Sequence, residues 1–371
     1  MCTKGDFTTQ AHGPTGPLKK RLAGYNPGMP PDTPQPTIAL PPLLEQAWQA
    51  RAAALDAQHQ EARRLFNGFL EGCPDLVADL YGATLLLVDF SEQGPGTQAG
   101  LPPMIQEALD FYLPRLSWLK CVVLQARRTE RPGGRSGLVI WGKMPCDRVQ
   151  EAGVWYALDL MLNQDASFYP DTRLLRAWLL ENAPGKRVLN TFAYTGSLGV
   201  AARAAGASQV VQTDRSARFL EIARRSLALN GLQPQPGELR PGDFFSVTRH
   251  LRRSGMLFDI VIIDPPFFST GRQGRVDLND HSIALINKVR PLVADGGRLV
   301  AVNNALYVSG QAYLDALQTL CADGYISLES SIPIPEDITG SPATRRGHLP
   351  TDPAPFNHAT KIAVLHVRRK N

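Results

Sequence analysis

The sequence has 371 residues, 43% of them hydrophobic and 20% charged, a composition that excludes a disordered or fibrous chain and suggests two globular domains plus an extension. No apolar run approaches the roughly 20 residues that a membrane-spanning helix needs. The formal charge of +5 and the pI near 9.0 permit a polyanionic partner without requiring one.

Residues 1–42 hold nine prolines, so this segment has little to bury and reads as a flexible arm. Its Lys19, Lys20 and Arg21 are either a solvated tail or contacts to a phosphate backbone. The start has no apolar run after Lys4, which argues against a secretory signal and makes the cytoplasm the default. Five cysteines, Cys2, Cys73, Cys121, Cys146 and Cys321, include no CxxC pair. They read as reduced thiols and not as a disulfide framework or a metal site, and no metal is expected.

From Leu43 to Leu70 alanine-rich spacing predicts one helix. "LVADLYGATLLLVDF" predicts two strands around Tyr81 and Gly82, "MIQEALDFYLPRL" a helix, "CVVLQAR" a strand, and "RTERPGGRSGLVIWGK" a basic hairpin. Residues 43–165 are therefore expected to form a small α+β domain with no legible chemistry.

Residues 166–371 change to alternation. "RVLNTFA", "QVVQTD", "FDIVIIDPP" and "RLVAVNN" read as strands, with "GSLGVAARAAG", "SARFLEIARRSLALNG" and "DHSIALINKVRPLVADGG" as the helices between them. Short apolar runs separated by amphipathic helices call for a parallel sheet covered on both faces.

In such sheets the ligand sits beyond the carboxyl ends of the strands, where strand order reverses. The first strand leads into "NTFAYTGSLG", in which Gly196 permits dihedrals that other residues resist and offers no side chain to obstruct a ligand. The second strand ends at Asp214, an acid placed to grip a ribose. A dinucleotide would want G-x-G-x-x-G, and only Gly196 and Gly199 are present. S-adenosylmethionine lacks a phosphate and does not need the full glycine set. "GDFFS" offers Asp243 for the adenine amine and Phe244 for the base, or else Asp243 caps a helix. "IIDPPFFS" puts Asp264 at a strand end, followed by Pro265, Pro266, Phe267 and Phe268, either a rigid turn for a flat acceptor or core. The order of these elements predicts an S-adenosylmethionine-dependent methyltransferase.

These residues, together with "FYPDTRLLRAWLLENAPGKRVLNTFAYTGSLGVAARAAGASQVVQTDRS" and the looser "LFNGFLEGCPDLVADLYGATLLLVDF", resemble the bacterial 23S rRNA methyltransferases of the RlmI and RlmK type. The resemblance implies a Rossmann-like class I methyltransferase sheet with helices on both faces, an α/β fold preceded by the smaller α+β domain. It implies cofactor contacts from Tyr169, Asp171, Arg173, Asn190, Phe192, Tyr194, Thr195, Gly196, Ser197, Asp214, Arg215, Ser216, Asp243, Phe244 and Asp264. The catalytic group would be Asp264, Pro265, Pro266 and Phe267.

Two departures from that family matter. Residues 1–42 are too short for the PUA domain of the RlmI type, so RNA recognition is expected from the central domain, the arm or a partner. The fifth strand carries Asn303 and Asn304 where the RlmI type has a nucleophilic cysteine, and Cys321 lies in the next helix. The asparagine pair is similar to the RlmK half, which implies methylation of a guanine ring nitrogen in rRNA and not of the 5-carbon of cytosine. His281 is the one nearby base, or a solvated helix residue. The proline-rich loop before the last strand is expected to close over the acceptor site, where Arg345, Arg346 and His348 meet phosphates or stay idle. A protein or small-molecule acceptor, and a non-catalytic RNA-binding assembly factor, are the competing readings; homodimerisation is left open.

Overall fold

The computed structural model describes residues 39–91, 100–127, 136–162, 166–266, 268–271, 274–346 and 351–369, with main chain only at 268–271, 274–277 and 279–281. The arm, with Lys19, Lys20 and Arg21, most of the basic hairpin turn, Phe267, His348 and the side chains of Phe268 and His281 lie outside the described residues.

Helix α1 (Leu40–Arg51) opens on two prolines, which suit the first turn because its amides have no partner within the helix. It stops well short of the expected Leu70. Asp56 accepts from the amides of Gln60 (2.7 Å) and Glu61 (3.2 Å), and His59 is left-handed at φ 54°. A side chain bonding its own backbone in this way competes with the helix and turns the chain. The segment behind it enters a sheet as β1 (Ala62–Asn67).

That sheet has the order β1-β2-β3-β4-β5, with β2 (Leu76–Tyr81), β3 (Thr84–Asp89), β4 (Cys121–Ala126) and β5 (Leu138–Gly142). A short helix, α2 (Gly68–Glu71), follows β1, and α3 (Pro103–Tyr112) makes the crossover between the parallel strands β3 and β4. Alternate residues face opposite sides of a strand. Leu85 and Leu87 pack with α1 and α3, whereas Leu86 and Val88 pack with the hairpin β6 (Arg148–Glu151) and β7 (Val154–Ala157) and with Val200 and Leu227, which lie on helices of the following layer. This core thus joins the first sheet to the helices that cover the second.

The second sheet has seven strands. In chain order they are β8 (Arg187–Thr191), β9 (Gln209–Asp214), β10 (Leu239–Pro241), β11 (Phe258–Ile263), β14 (Val293–Asn303), β15 (Ile326–Ile332) and β16 (Lys361–Val367). A two-stranded ribbon, β12 (Phe268–Gly271) and β13 (Gly274–Asp277), projects after β11. The spatial order is β10-β9-β8-β11-β14-β16-β15, parallel as far as β14 and antiparallel thereafter. Strand order reverses between β8 and β11, where a ligand crevice is expected.

The pattern of "FDIVII" explains the layering. Ile260 and Ile262 join one core with α4 (Arg173–Asn182) and α5 (Ser197–Ala204). Val261 and Ile263 join the other with α7 (Phe244–Arg253), α8 (Leu278–Val289) and α9 (Gly310–Cys321). Helix α6 (Ala217–Leu229) lies between the two sheets. Truncating a core residue such as Ile262, fully buried, costs about 2–5 kcal/mol. The predicted helix through Gly297 ends earlier, at Val289, because Pro291 cannot continue it, and Val293 already begins β14. Among the described residues no helix is long and apolar enough to cross a membrane.

Candidate cofactor and acceptor site

The turn after β8 carries two non-glycine residues in the left-handed region, Phe192 at φ 56° and Tyr194 at φ 51°. Such residues cost about 1–3 kcal/mol each and persist only where surrounding bonds fix them. Here the Ala193 amide donates to the Thr213 carbonyl (2.8 Å), the Tyr194 amide to Asp214 Oδ2 (2.9 Å), and Thr195 Oγ1 to the Ser167 carbonyl (2.6 Å).

Gly196, at φ 79°, is the residue before α5. Its conformation is the expected one, but its reason is internal. A Cβ there would lie 2.4 Å from Ala223 Cβ and 2.8 Å from Gln212 Oε1, and so would point into α6 and β9. Gly199 is excluded from a larger side chain in the same way, by Gln212 Cδ at 2.1 Å. Ser197, half-buried, opens the helix.

Asp214 serves the turn before it serves any ligand. Besides the Tyr194 amide, its Oδ1 accepts from the Ser216 amide at 2.8 Å, and Ser216 Oγ in turn caps α6 by accepting from the Phe219 amide. Burial raises the Asp214 carboxyl above the ordinary range despite those amides. Arg215 is exposed beside it. Asp243 is a helix cap, its Oδ1 accepting from the amides of Phe245 (3.1 Å) and Ser246 (3.4 Å). Phe244 is 5% exposed and stacks on Phe192 with centroids 4.5 Å apart, so its ring belongs to the core and is not open to a base. Tyr194 lies edge-on to Phe219 at 4.6 Å and 5.4 Å from Tyr169, which is 45% exposed at the mouth.

Asp264 stands at the end of β11, one strand beyond the reversal. Among the described residues no donor reaches its carboxyl. Burial, reinforced by the negative charge of Asp171, pushes its pKa up to about 7. Asp171 is itself raised by burial, against the charges of Arg64 and Arg176; Oδ2 accepts from Thr360 Oγ1 at 3.2 Å, and Oδ1 has no partner among the described residues. Pro265 is buried and Pro266 exposed. The Asn304 Nδ2 donates to the Pro265 carbonyl at 3.5 Å, tying the end of β14 to this turn.

Arg173 is engaged elsewhere. Its guanidinium pairs with Asp337 (2.9 Å), approaches Glu151 (3.6 Å) and donates to the Ala62 carbonyl (2.8 Å). It joins β1, the 148–157 hairpin and the C-terminal segment, which distinguishes it from the residues gathered around the turn. Arg345 and Arg346 likewise bond main-chain and side-chain oxygens, including the Thr339 carbonyl and Gln46 Oε1. Residues that sequence reasoning missed are Thr360 and Asp337, which orient Asp171 and Arg173, and His358. Burial and the charges of Arg64 and Lys361 push the His358 imidazole down to about 4, and its Nδ1 accepts from the Thr360 amide at 3.0 Å. No linear signal marks these residues, because the C-terminal loop reaches the site only through the order of the sheet.

The residues at the reversal fit an adenosyl ligand in their donor chemistry. Asn190, 1% exposed at the end of β8, has both Oδ1 and Nδ2 buried without a partner among the described residues. An unpartnered buried amide costs about 1–3 kcal/mol, and a polar ligand in the crevice offsets that cost. The carboxylates of Asp214 and Asp243 supply acceptors for hydroxyl and amine donors.

Comparison with known proteins agrees with this geometry. A model of the S-adenosylmethionine-dependent methyltransferase family matches residues 63–322. Ribosomal RNA large subunit methyltransferase I of Aeromonas hydrophila subsp. hydrophila is 33% identical over 232 residues, 62% of this chain and 57% of that protein. The protein of the same name from Escherichia coli O139:H28 is 30% identical over 292 residues, 76% of this chain and 70% of that one. The chain thus spans between 57% and 70% of the length of these two relatives. Among solved structures, SMU.776 in complex with SAH shares the fold with a TM-score of 0.75 at 19% identity, covering 89% of this chain and 83% of that one. The chain belongs to the S-adenosylmethionine-dependent methyltransferase family, with ribosomal RNA large subunit methyltransferase I among its relatives.

Proposed function

We propose that the chain methylates a base of ribosomal RNA, and that the acceptor atom is a ring nitrogen of guanine. The relatives' printed names support ribosomal RNA as the substrate. The observation that carries the choice of atom is the end of β14. Attack from a 5-carbon of cytosine needs a nucleophile that makes the ring electron-rich, and Asn303 and Asn304 stand there instead of a thiol. Cys321 is at the far end of α9, packed against the core, and burial pushes its thiol up. A ring nitrogen attacks with its own lone pair, so orientation suffices.

In this reading S-adenosylmethionine supplies an electrophilic methyl group on a sulfonium. Asp214 holds the ribose and the turn together, Asn190 pairs with a polar group of the ligand, and Asp243 accepts from the adenine amine while capping α7. Tyr169, Phe192, Tyr194, Thr195, Gly196, Ser197, Arg215 and Ser216 shape the pocket. Phe244 supports Phe192 from below, and Arg173 is a positioning residue that acts through Asp337. Asp264, with Pro265, Pro266 and Phe267, orients the acceptor base. Residues 43–165 form the central domain, which recognises RNA itself or together with the arm or a partner, and residues 166–371 the methyltransferase domain.

The test is mass spectrometry of nucleosides from the rRNA of a deletion strain and its parent, repeated after adding purified protein and S-adenosylmethionine. One methylated guanosine is expected to disappear and return. Loss of 5-methylcytidine instead refutes the choice of atom. Unchanged rRNA, with S-adenosylmethionine still bound by calorimetry, refutes ribosomal RNA as the acceptor.

A further inference from the structure

The turn that follows β14 displays two large apolar side chains to solvent, Leu306 at 49% exposure and Tyr307 at 62%. Exposed loop residues of this size are ordinarily mobile and solitary. This turn is held from four directions. Lys361, 1% exposed, donates from Nζ to the carbonyls of Ala305 and Val308 (3.1 Å each) and also to that of Ala359. The Ala305 amide donates to Asn303 Oδ1 at 3.0 Å. Asn304 ties the turn to Pro265, and the Gly310 amide donates to the Asp352 carbonyl at 2.8 Å.

The ammonium of Lys361 has no carboxylate among these partners. Burial lowers it from the ordinary lysine range to about 8, and a buried charge spent on carbonyls alone is costly. What it fixes is the backbone beneath Leu306 and Tyr307. Those two residues stand at the same edge of the sheet as Asp264, because β14 lies beside β11 in register, Ile263 opposite Ala301. The segment from Asn304 to Gly310 contains no acid.

We propose that Leu306 and Tyr307 form a stacking platform for an unpaired nucleobase of the RNA acceptor, and that Lys361 is the positioning residue that holds it rigid. The proposal rests on the reading of RNA as the substrate. An aromatic face suits this occupant because every base has a π-face, and stacking of this kind tolerates any sequence. A rigid platform loses little conformational freedom on binding.

The experiment measures binding of the purified full chain, by fluorescence anisotropy, to a labelled single-stranded oligoadenylate and to a blunt RNA duplex of the same length. Tyr307→Ala is expected to weaken binding to the single strand by about 5- to 100-fold. It should leave the duplex and the calorimetric affinity for S-adenosylmethionine unchanged, and Tyr307→Phe should retain parental binding. Lys361→Met should weaken single-strand binding without lowering it further in combination with Tyr307→Ala, a non-additivity that a general structural defect would not produce. If the parent binds the single strand and Tyr307→Ala binds it equally well, the platform is overturned while RNA remains the acceptor. A Phe variant as weak as the Ala variant overturns stacking. A parent that binds neither RNA, or that methylates a protein and not stripped rRNA, overturns both the platform and the RNA reading.

Discussion

Replacing Gly196 by alanine separates the two constraints that act on the turn after β8. The first is conformational: at φ 79° an L-residue pays about 1–2 kcal/mol. The second is steric. The new Cβ would sit 2.4 Å from Ala223 Cβ, about 1.1 Å or more inside the 3.5–4.0 Å separation of carbon atoms at contact. Ala223 is fully buried on α6, so the helix must move, at about 1–3 kcal/mol for an overpacked site. The expected loss is therefore about 2–5 kcal/mol. Ala223→Gly removes the nearest obstructing atom and leaves Gln212 Oε1 at 2.8 Å, the end of a side chain, and then Ala223 Cα at 3.4 Å as the remaining contacts, at a helix-propensity cost of about 1 kcal/mol. In the double variant Gly196→Ala/Ala223→Gly the part of the steric cost owed to the helix should return while Gln212 still has to shift, so the combined loss should fall short of the sum by about 1 kcal/mol or more within the roughly 1–3 kcal/mol of an overpacked site. Denaturant unfolding of the parent, both single variants and the double variant measures this coupling, and S-adenosylmethionine calorimetry on each reports whether the turn has been displaced. Strict additivity would refute the clash with Ala223 as a reason for glycine at this position.

Asp214→Asn keeps one acceptor oxygen for two backbone amides, those of Tyr194 and Ser216. Loss of a hydrogen bond to a charged group, about 1.5–3 kcal/mol, should weaken S-adenosylmethionine binding by roughly 10- to 150-fold in calorimetry. Asp264→Asn should lower kcat while leaving that affinity within about 2-fold; equal loss in both variants would contradict the division of roles. Because the folded carboxyl of Asp264 titrates near 7, above its ordinary range, its stabilising contribution is complete below that range and is lost as pH rises through 7. Asp264→Asn should accordingly be more stable than the parent above pH 7, with the difference closing toward pH 4. Removing the like charge with Asp171→Asn should move the break in the pH–rate profile to lower pH, and an unmoved break would show that Asp171 does not act on Asp264. Burial raises Asp337, but the hydrogen bond and charge of Arg173 outweigh it and hold the carboxyl below its ordinary range. Its stabilising effect is present above that range and lost as pH falls through the lowered value. Asp337→Asn should therefore cost about 3–5 kcal/mol at neutral pH and almost nothing in strong acid, as read by urea unfolding across pH.

The methyltransferase layer was legible because its signals are local. Runs such as "FDIVII" and "QVVQTD" are buried on both faces, which only a covered parallel sheet provides, and the acids at their ends occupy the edge where such sheets bind ligands. The limits of that reading were also local. The alanine-rich stretch after Leu43 kept helical spacing through residues that Asp56 and His59 turn into β1. Spacing cannot register a side chain that bonds its own backbone. Phe244 had the right place in the chain for an adenine contact, yet the stack on Phe192 buries it.

The sequence by itself determined the alternation of strands and helices, the turn at Gly196, the acids Asp214, Asp243 and Asp264, and the absence of a thiol at Asn303 and Asn304. Tertiary structure alone decided what those groups are free to do. Asp214 and Asp243 are partly spent on backbone amides, Asp264 meets no donor among the described residues, and Lys361 lies under the 305–308 turn although 53 residues separate it from Val308. Hydrogen bonding and burial depend on neighbours in space, and β16, which carries Lys361, reaches β14 only because it inserts antiparallel between β14 and β15.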